Sequence, residues 1–152
     1  MFLKVLMLKQ DDPRKCSAAK LVKFGLAKPV TRTASRTLIL NPFSKKILLK
    51  SDKKFVNSIT GIDCSWNLIT SAFKKPFTGI SRKLPPLLAG NPMNYSKLNK
   101  LSTVEALAGA VYILGEPDLT HNLLQKFKWG NTFFELNKNL LQDYSKAQSE
   151  AE

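Results

Sequence analysis

The sequence predicts an α/β fold, with a small mixed sheet in the N-terminal half and a mostly helical C-terminal half. Three observations lead to this prediction. Short apolar segments alternate with amphipathic ones before residue 84. Three helical patterns follow one another after residue 101. The length of 152 residues suits a single domain. The C-terminal helices are therefore expected to cover the sheet or to form a lobe of their own.

Four short apolar segments predict the strands of the sheet. Each is bounded by turn residues or by polar residues, as is typical of strands in a buried sheet. An Asn-Pro pair opens the turn NPFSKK that separates the second segment from the third. The predicted strands are Phe2–Leu8, Leu38–Leu40, Ile47–Leu49 and Ile59–Asp63.

Three helices are predicted among these strands. Ser17 is a typical N-cap residue, and the helix that it begins ends near Gly25, where a left-handed residue commonly terminates a helix. A second, basic helix opens at Ser51 and ends around Ser58. A third, short helix follows the last strand, with Asp63 or Ser65 as its cap.

The C-terminal half contains three further helices with apolar residues at helical spacing. The first begins at Ser102, because Ser102 and Glu105 form a capping box. Pro117 suits the first position of the second helix, and the third begins at about Asn131. The preceding segment, LPPLLAGNPMNY, carries three prolines and one glycine, so it is predicted to be irregular despite its apolar content.

Basic residues are concentrated in the first part of the chain. Residues 1–58 contain 14 Lys and Arg residues and three acidic residues, a net charge of +11. Residues 59–152 contain 10 basic and eight acidic residues, a net charge of +2. An asymmetry of this size predicts a surface that meets a polyanion, usually RNA or DNA. A merely solvated basic surface is the alternative.

The motifs that are missing exclude several function classes. Neither a GxGxxG loop after a strand nor a GxxxxGK[ST] sequence occurs, which argues against a dinucleotide fold and a P-loop. Two cysteines, Cys16 and Cys64, are too few for a disulfide framework or a zinc cluster. The one histidine, His121, is expected to face solvent without a function, and Cys64 is expected to be a small buried side chain.

Neither a membrane span nor a signal peptide is expected from the sequence. The longest apolar run is far shorter than the roughly 20 residues that span a bilayer. The N-terminal segment MFLKVLMLKQDDPRK becomes charged too early for a signal peptide. We therefore expect a soluble, intracellular protein that needs no metal.

Two segments contain candidate ligand-binding groups. In GIDCSWN, Asp63 and Trp66 follow a predicted strand, and open α/β sheets bind ligands at the carboxyl ends of their strands. A carboxylate beside an indole suits a cationic, partly apolar ligand such as a sulfonium. A helix N-cap and a core tryptophan explain this pair equally well. In LLAGNPMNY, Asn91, Asn94 and the backbone amides are suited to hold an adenine or a ribose.

These segments also resemble a known family. The sequences DDPRKCSAAKL, GIDCSWN, LPPLLAGNPMNYSKLNKLSTVEALAGA and KFKWGNTFFELNKNLLQDY occur in this order. Together they resemble the small-subunit ribosomal RNA aminocarboxypropyltransferases from residue 1 to about residue 146. The resemblance implies a SPOUT-like fold with a C-terminal trefoil knot, an exception to the rule that chain connections stay unknotted. Residues 1–83 would form a basic α/β part that faces RNA, and residues 84–152 a knotted helical part that completes an S-adenosylmethionine site.

The resemblance implies a group transfer to RNA. The 3-amino-3-carboxypropyl group of S-adenosylmethionine would move to N3 of a (N1-methyl)pseudouridine in a hairpin loop of small-subunit rRNA, near the ribosomal P site. The partner would be this rRNA or a pre-ribosomal subunit. The enzyme would act as a monomer in the cytoplasm, without a metal or a membrane. Two alternatives remain open at this point: a SPOUT-type RNA methyltransferase, and a non-catalytic RNA-binding assembly factor.

The resemblance also implies which residues form the site. Asp63 is the candidate catalytic residue, either to assist proton removal or to stabilise the sulfonium. The cofactor contacts carried over by motif are Ser17, Leu40, Pro42, Ile62, Trp66, Leu84, Asn99 and Thr103. The basic first half is expected to bind RNA phosphates. Its candidate residues are Arg14, Lys15, Lys20, Lys23, Lys45 and Lys46.

Overall fold

The computed structural model describes residues 1–7, 17–63 and 77–149, and these contain a five-stranded sheet. The strands lie in the order β2-β1-β4-β3-β5. They are β1 (Phe2–Met7), β2 (Lys28–Val30), β3 (Thr37–Leu40), β4 (Ser58–Asp63) and β5 (Ile80–Arg82). Every pairing among them is parallel, so the prediction of a mixed sheet is wrong. A parallel sheet brings the carboxyl ends of all its strands to one edge.

Three of the four predicted strands are confirmed, as β1, β3 and β4. The prediction of a strand at Ile47–Leu49 is wrong, because the bridge between Ile47 and Lys83 is isolated and lies outside the strands. The backbone N–H of Leu49 donates to the Asp52 carboxylate at 3.0 Å, which turns the chain into a 3₁₀ helix. That helix, Lys50–Phe55, replaces the basic helix predicted from Ser51 to Ser58.

The two edge strands, β2 and β5, are not predicted from the sequence. Each has only three residues, KPV in β2 and ISR in β5, and neither forms a recognisable apolar pattern. Pro29 lies inside β2. Proline fits an edge strand because it has no N–H to donate to a second neighbour.

In the described part of the chain, four α-helices accompany the sheet. The first, α1, ends in a Schellman motif: Leu26 N–H donates to Leu21 O at 2.9 Å, and Gly25 has a φ of +73°. The capping box of Ser102 and Glu105 is confirmed, as is Pro117 at the start of its helix. The helices are α1 (Ser17–Lys23), α2 (Thr103–Ile113), α3 (Pro117–Leu124) and α4 (Gly130–Lys146). The helix predicted after Asp63 lies outside the described residues.

Helix α2 lies at the centre of the molecule. Eight of its 11 residues are buried. It packs closely on β4 at Gly61, where an added Cβ would lie 3.2 Å from the Thr103 side chain. One hydrophobic core joins residues of β1, α1, β3 and β4 to residues of α2, α3 and α4. Within the described ranges, no helix combines the length and the apolar character that crossing a membrane requires.

Candidate functional site

Three of the predicted site residues meet where α2 begins, at the carboxyl edge of the sheet. Asp63 is the last residue of β4. The Thr103 hydroxyl, in the first residue of α2, donates to Asp63 Oδ1 at 3.3 Å. The backbone N–H of Val104 donates to Ser17 Oγ at 3.2 Å. Ser17, Asp63 and Thr103 therefore converge on one helix terminus from three distant parts of the sequence.

This terminus is a favourable place for negative charge. The aligned peptide dipoles of a helix leave a partial positive charge at its N-terminus. The Asp63 side chain is buried there and accepts the Thr103 hydroxyl. The sequence predicts Ser17 as the N-cap of its own helix, and in the structure Ser17 is the first residue of α1. Its hydroxyl oxygen accepts a hydrogen bond from the first turn of α2. Hydroxyl and carboxylate groups thus surround a terminus that suits a zwitterionic ligand.

Apolar residues border the same edge of the sheet. Leu40 ends β3 and is buried, and Ile62 is half-buried next to the end of β4. Leu84 follows β5 by two residues and is partly buried against the core. Pro42 is exposed in the turn after β3, where Asn41 N–H donates to Arg82 O at 2.9 Å. These side chains offer apolar surface beside the polar terminus of α2.

A proline-rich loop, residues 84–101, connects the sheet to α2 and contains no helix or strand. The buried Glu105 carboxylate holds one part of it. This carboxylate accepts hydrogen bonds from Ser102 N–H at 2.9 Å, from Gly90 N–H at 2.6 Å and from the Asn91 amide at 2.6 Å. Glu105 therefore caps α2 and fixes the loop at the same time.

Helix α4 holds the other part of the loop. Asn137 Oδ1 accepts from Leu88 N–H at 2.7 Å, and Asn137 Nδ2 donates to Leu88 O at 2.7 Å. The Tyr144 hydroxyl donates to Pro86 O at 2.9 Å. Gly90 lies directly on α4, since an added Cβ would be 2.5 Å from the backbone nitrogen of Phe133. The loop is irregular, as predicted, yet side chains satisfy much of its backbone.

Burial raises the pKa of the Tyr144 hydroxyl, and the Asp143 carboxylate raises that pKa further. The hydroxyl therefore remains protonated at neutral pH and keeps its hydrogen bond to the loop. The contacts by which Asn137 and Tyr144 hold the loop are not predicted from the sequence. The only available signal was a polar residue, Asn137, four positions after Phe133 and four before Leu141 on an apolar helix face.

The sequence suggests a ligand contact for Asn91, but in the structure its side chain makes hydrogen bonds within the protein. Its side chain is buried, bonds to Glu105 and accepts from Asn94 N–H at 3.1 Å. Asn99 is exposed and has a φ of 60°, a left-handed conformation that asparagine tolerates better than most residues. Its N–H donates to Leu87 O at 2.9 Å, which returns the loop toward α2.

The predicted RNA-binding lysines lie a few residues from the site. Lys20 and Lys23 are exposed on α1, which begins at Ser17, and the ammonium of Lys20 lies 5.6 Å from the centre of the Phe127 ring. Lys45 and Lys46 are exposed in the turn after Pro42. Arg14, Lys15, Trp66 and both cysteines lie outside the described residues.

The single histidine and the acidic side chains that the structure describes form no metal centre. His121 is exposed on α3, and its ring packs on Phe134 at 4.7 Å between centroids. In the described part of the chain, no three His, Cys, Asp or Glu side chains are grouped so that they would hold a metal ion.

Comparison with family models gives two matches. A model described as ribosome biogenesis protein, C-terminal, matches residues 38–152. A model described as a possible Fer4-like domain in RNase L inhibitor matches residues 4–35. An iron–sulfur cluster of the ferredoxin type takes four cysteines. The second matched segment contains only Cys16, so its residues do not fit such a cluster.

The chain is also similar to curated proteins along nearly its whole length. It is 44% identical over 145 residues to a 16S rRNA aminocarboxypropyltransferase from Thermoplasma volcanium, covering 93% of this chain and 88% of that protein. It is 40% identical over 157 residues to the protein of the same name from Methanobrevibacter smithii, covering 98% and 91%.

Among solved structures, the chain resembles the SAM-dependent rRNA:acp-transferase Tsr3 from Vulcanisaeta distributa. The TM-score is 0.89 at 38% sequence identity, and the match covers 94% of this chain and 82% of that chain. Agreement in fold, in sequence and in the family model leads to one conclusion. The chain belongs to the 16S rRNA aminocarboxypropyltransferase family.

Proposed function

We propose that this chain transfers the 3-amino-3-carboxypropyl group of S-adenosylmethionine to N3 of a (N1-methyl)pseudouridine in small-subunit rRNA during ribosome biogenesis. The observation that carries the proposal is the meeting of Ser17, Asp63 and Thr103 at the first turn of α2, in a chain of this family. The names of its relatives support the donor and the rRNA acceptor. Those names do not specify the nucleotide, so N3 of (N1-methyl)pseudouridine is the more detailed part of the proposal.

The residues at the sheet edge fit the parts of the donor. Leu40 and Pro42 would form the walls of the adenine site, and the backbone of Ile62 and Leu84 would bind the ribose end. Trp66 would pack on the methionine part, and Asn99 would close the site at the end of the loop. The buried and half-buried apolar side chains at this edge support that assignment.

The polar residues fit the charged end of the donor. Because Ser17 Oγ accepts from Val104 N–H, its own proton is the group that would donate to a ligand carboxylate. Thr103 stands beside it and orients Asp63 through a hydrogen bond of 3.3 Å. The Asp63 carboxylate would supply negative charge next to a cationic ligand. A ligand with both charges is thereby held in one orientation.

Orientation decides which group is transferred. S-adenosylmethionine, when bound, supplies a sulfonium with three carbons open to displacement. The apolar walls of Leu40, Pro42 and Trp66 would cover its methyl group. Ser17 and Thr103 would hold the amino-acid arm toward the RNA. Asp63 would assist the loss of the N3 proton from the target base. A base in a hairpin loop is easily unstacked, which favours such a substrate over duplex RNA.

The proposal includes the arrangement of the whole chain. Residues 1–83 would face the RNA with Arg14, Lys15, Lys20, Lys23, Lys45 and Lys46, and residues 84–152 would complete the donor site. The C-terminal part would form a SPOUT-like trefoil knot. The parallel strand order and the irregular proline-rich loop, which the side chains of Glu105 and Asn137 help to hold, support this. The enzyme would act as a monomer in the cytoplasm.

The experiment uses S-adenosylmethionine labelled in its carboxyl carbon and, separately, in its methyl group. Each is incubated with the protein and an rRNA hairpin that carries N1-methylpseudouridine. We expect label to enter the RNA only from the carboxyl position. Label that enters only from the methyl group would contradict the proposed reaction. Absence of both labels, with the RNA still bound, would contradict the proposal that the protein is an enzyme.

A Trp66→Ala variant tests the placement of the site. Removal of the indole should weaken donor binding by about 2–3 kcal/mol. RNA affinity should stay nearly unchanged, because the proposed phosphate contacts are lysines and arginines. Titration of both ligands by calorimetry measures the two affinities. Unchanged binding of S-adenosylmethionine would contradict this placement.

A further inference from the structure

A groove lined by lysines lies away from the candidate site. Lys50, Lys53 and Lys54 enter it from the 3₁₀ helix, and Lys146 enters it from the end of α4. Ser51 and Ser145 are among its other lining residues, and its volume is about 660 Å³. The first three lysines belong to the basic first half of the chain. Nothing in the proposed transfer reaction uses them.

The positive charge of this groove is not compensated by the acid closest in sequence. Asp52 is the acidic residue of the 3₁₀ helix, but it is only 7% exposed. Its carboxylate accepts Leu49 N–H at 3.0 Å and forms an ion pair with Arg82 Nε at 3.3 Å. Asp52 is thus paired inside the protein, whereas Lys53 and Lys54, which follow it in sequence, are exposed. Among the residues that the structure describes, the lining of the groove includes four lysines and no acid.

The groove and the candidate site are next to opposite ends of α2. Thr103, at the first turn, contacts Asp63 in the candidate site. Beyond the last turn, the side chain of Lys50 lies against Gly115, with its Cε 3.3 Å from a Cβ built there. An 11-residue helix is about 16 Å long. A single nucleotide bound in the site therefore does not reach the groove, whereas a longer RNA does.

The groove has the features of a nucleic-acid contact. Clustered ammonium groups neutralise phosphates and release their counterions. Phe55 follows Lys54 directly and is 60% exposed, so an aromatic face is available next to the charges for a stacked base. We propose that this groove binds phosphates of the substrate rRNA away from the target nucleotide, so that the enzyme holds its substrate at two separate points. The proposal rests on the proposed function, because it concerns the same RNA.

The test compares two variants of equal charge. Lys53→Gln with Lys54→Gln removes two charges from the groove. Lys128→Gln with Lys138→Gln removes two charges from exposed positions elsewhere. The affinity of each variant for full-length 16S rRNA and for the isolated target hairpin is measured at several salt concentrations. Transfer of labelled aminocarboxypropyl to the hairpin is measured in parallel. Melting curves establish that each variant is folded.

We expect the groove variant to bind full-length 16S rRNA about tenfold more weakly than the control variant. The slope of log K against log salt should become shallower by about 1.5, the effect of two lost phosphate contacts. The rate of transfer to the hairpin at saturating RNA should be the same in both variants, because the groove lysines do not contact the reacting groups. Equal affinities and slopes for full-length rRNA in the two variants would overturn the inference, and so would a slower transfer at saturating RNA in the groove variant alone.

The two proposals fail in different ways. If the unaltered protein transfers no label to the hairpin, the proposed function is wrong, while the comparison of rRNA affinities still decides the groove. If transfer occurs and the groove variant behaves like the control variant, the proposed function stands and the groove is not an RNA contact.

Discussion

The carboxyl edge of the sheet and the proline-rich loop both border the candidate site, but different interactions hold them. At the sheet edge, parallel ladders between backbone groups position Asp63. In the loop, a few polar side chains, chiefly Glu105 and Asn137, add to a short set of backbone hydrogen bonds between residues 87–89 and 96–99. A backbone ladder tolerates most changes of side chain. The comparison predicts that substitutions at the sheet edge alter chemistry, whereas substitutions of the residues that hold the loop alter stability.

The largest effect on stability is expected from Asn137→Leu. The change removes both hydrogen bonds to Leu88 and leaves its backbone N–H and C=O without these partners. Unfolding free energy should fall by about 2–4 kcal/mol, as measured by denaturant titration. Asn139→Leu, an exposed position on the same helix, is the matched control. Equal stability of the two variants would show that the loop does not depend on α4.

A large effect on activity, without loss of stability, is expected from Asp63→Asn. The amide keeps the shape of the side chain and removes the negative charge next to Thr103. Transfer to the hairpin should slow roughly a hundredfold. Asp118→Asn, at an exposed position on α3, should keep the full rate. An active Asp63→Asn enzyme would remove Asp63 from the mechanism, and a markedly destabilised one would break the comparison between the two regions.

A smaller loss of stability is expected from Glu105→Gln. An amide cannot accept all three hydrogen bonds from Ser102, Gly90 and Asn91, because its NH₂ group turns a donor toward one of them. The loss should be about 2 kcal/mol in a denaturant titration. Glu135→Gln on the exposed side of α4 is the control and should change little. A Glu105→Gln protein as stable as this control would argue against the carboxylate as the anchor of the loop.

The smallest effect is expected from Tyr144 and appears at high pH. Its raised pKa means that the folded state holds the phenolic proton more tightly than the unfolded state. The hydrogen bond to Pro86 therefore stabilises the fold fully below the ordinary value of 10.0, and its contribution is lost as the pH rises through the higher folded pKa. Tyr144→Phe should remove this dependence and lower stability by about 1 kcal/mol at neutral pH.

The control for this pH dependence is Tyr95→Phe, because Tyr95 is 56% exposed. Denaturant titrations between pH 7 and pH 11 would compare both variants with the unaltered protein. If stability declines near pH 10 as much in the Tyr144→Phe variant as in the unaltered protein, groups other than Tyr144 cause the decline.

Local signals predict much of the fold. The capping box at Ser102 and Glu105, Pro117 at a helix start and Gly25 at a helix end depend on neighbours within a few residues, and all three are found. The edge strands β2 and β5 are missed because three residues carry no usable pattern. The strand expected at Ile47–Leu49 fails because Asp52 captures the Leu49 N–H, a contact that apolar periodicity does not encode.

The sequence predicts some residues of the candidate site but not those that hold the loop beside it. Family resemblance suggests Ser17, Asp63 and Thr103, and the structure brings them together. The residues that hold the loop are not predicted, because Asn137 lies 49 positions from Leu88 in sequence. The lysine groove is likewise hidden: Lys146 joins lysines almost a hundred residues earlier, and only the structure shows that Asp52 turns inward.

The support of the proline-rich loop by α4 has a consequence for the timing of maturation. Domains form during synthesis from the N-terminus onward. The sheet and α2 are complete in sequence by residue 113, but the loop beside them is held by Asn137 and Tyr144. A nascent chain that has not yet released α4 would therefore contain Asp63 without an ordered loop beside it. Competence for RNA modification would arise only when synthesis is almost finished, so truncated products would lack it.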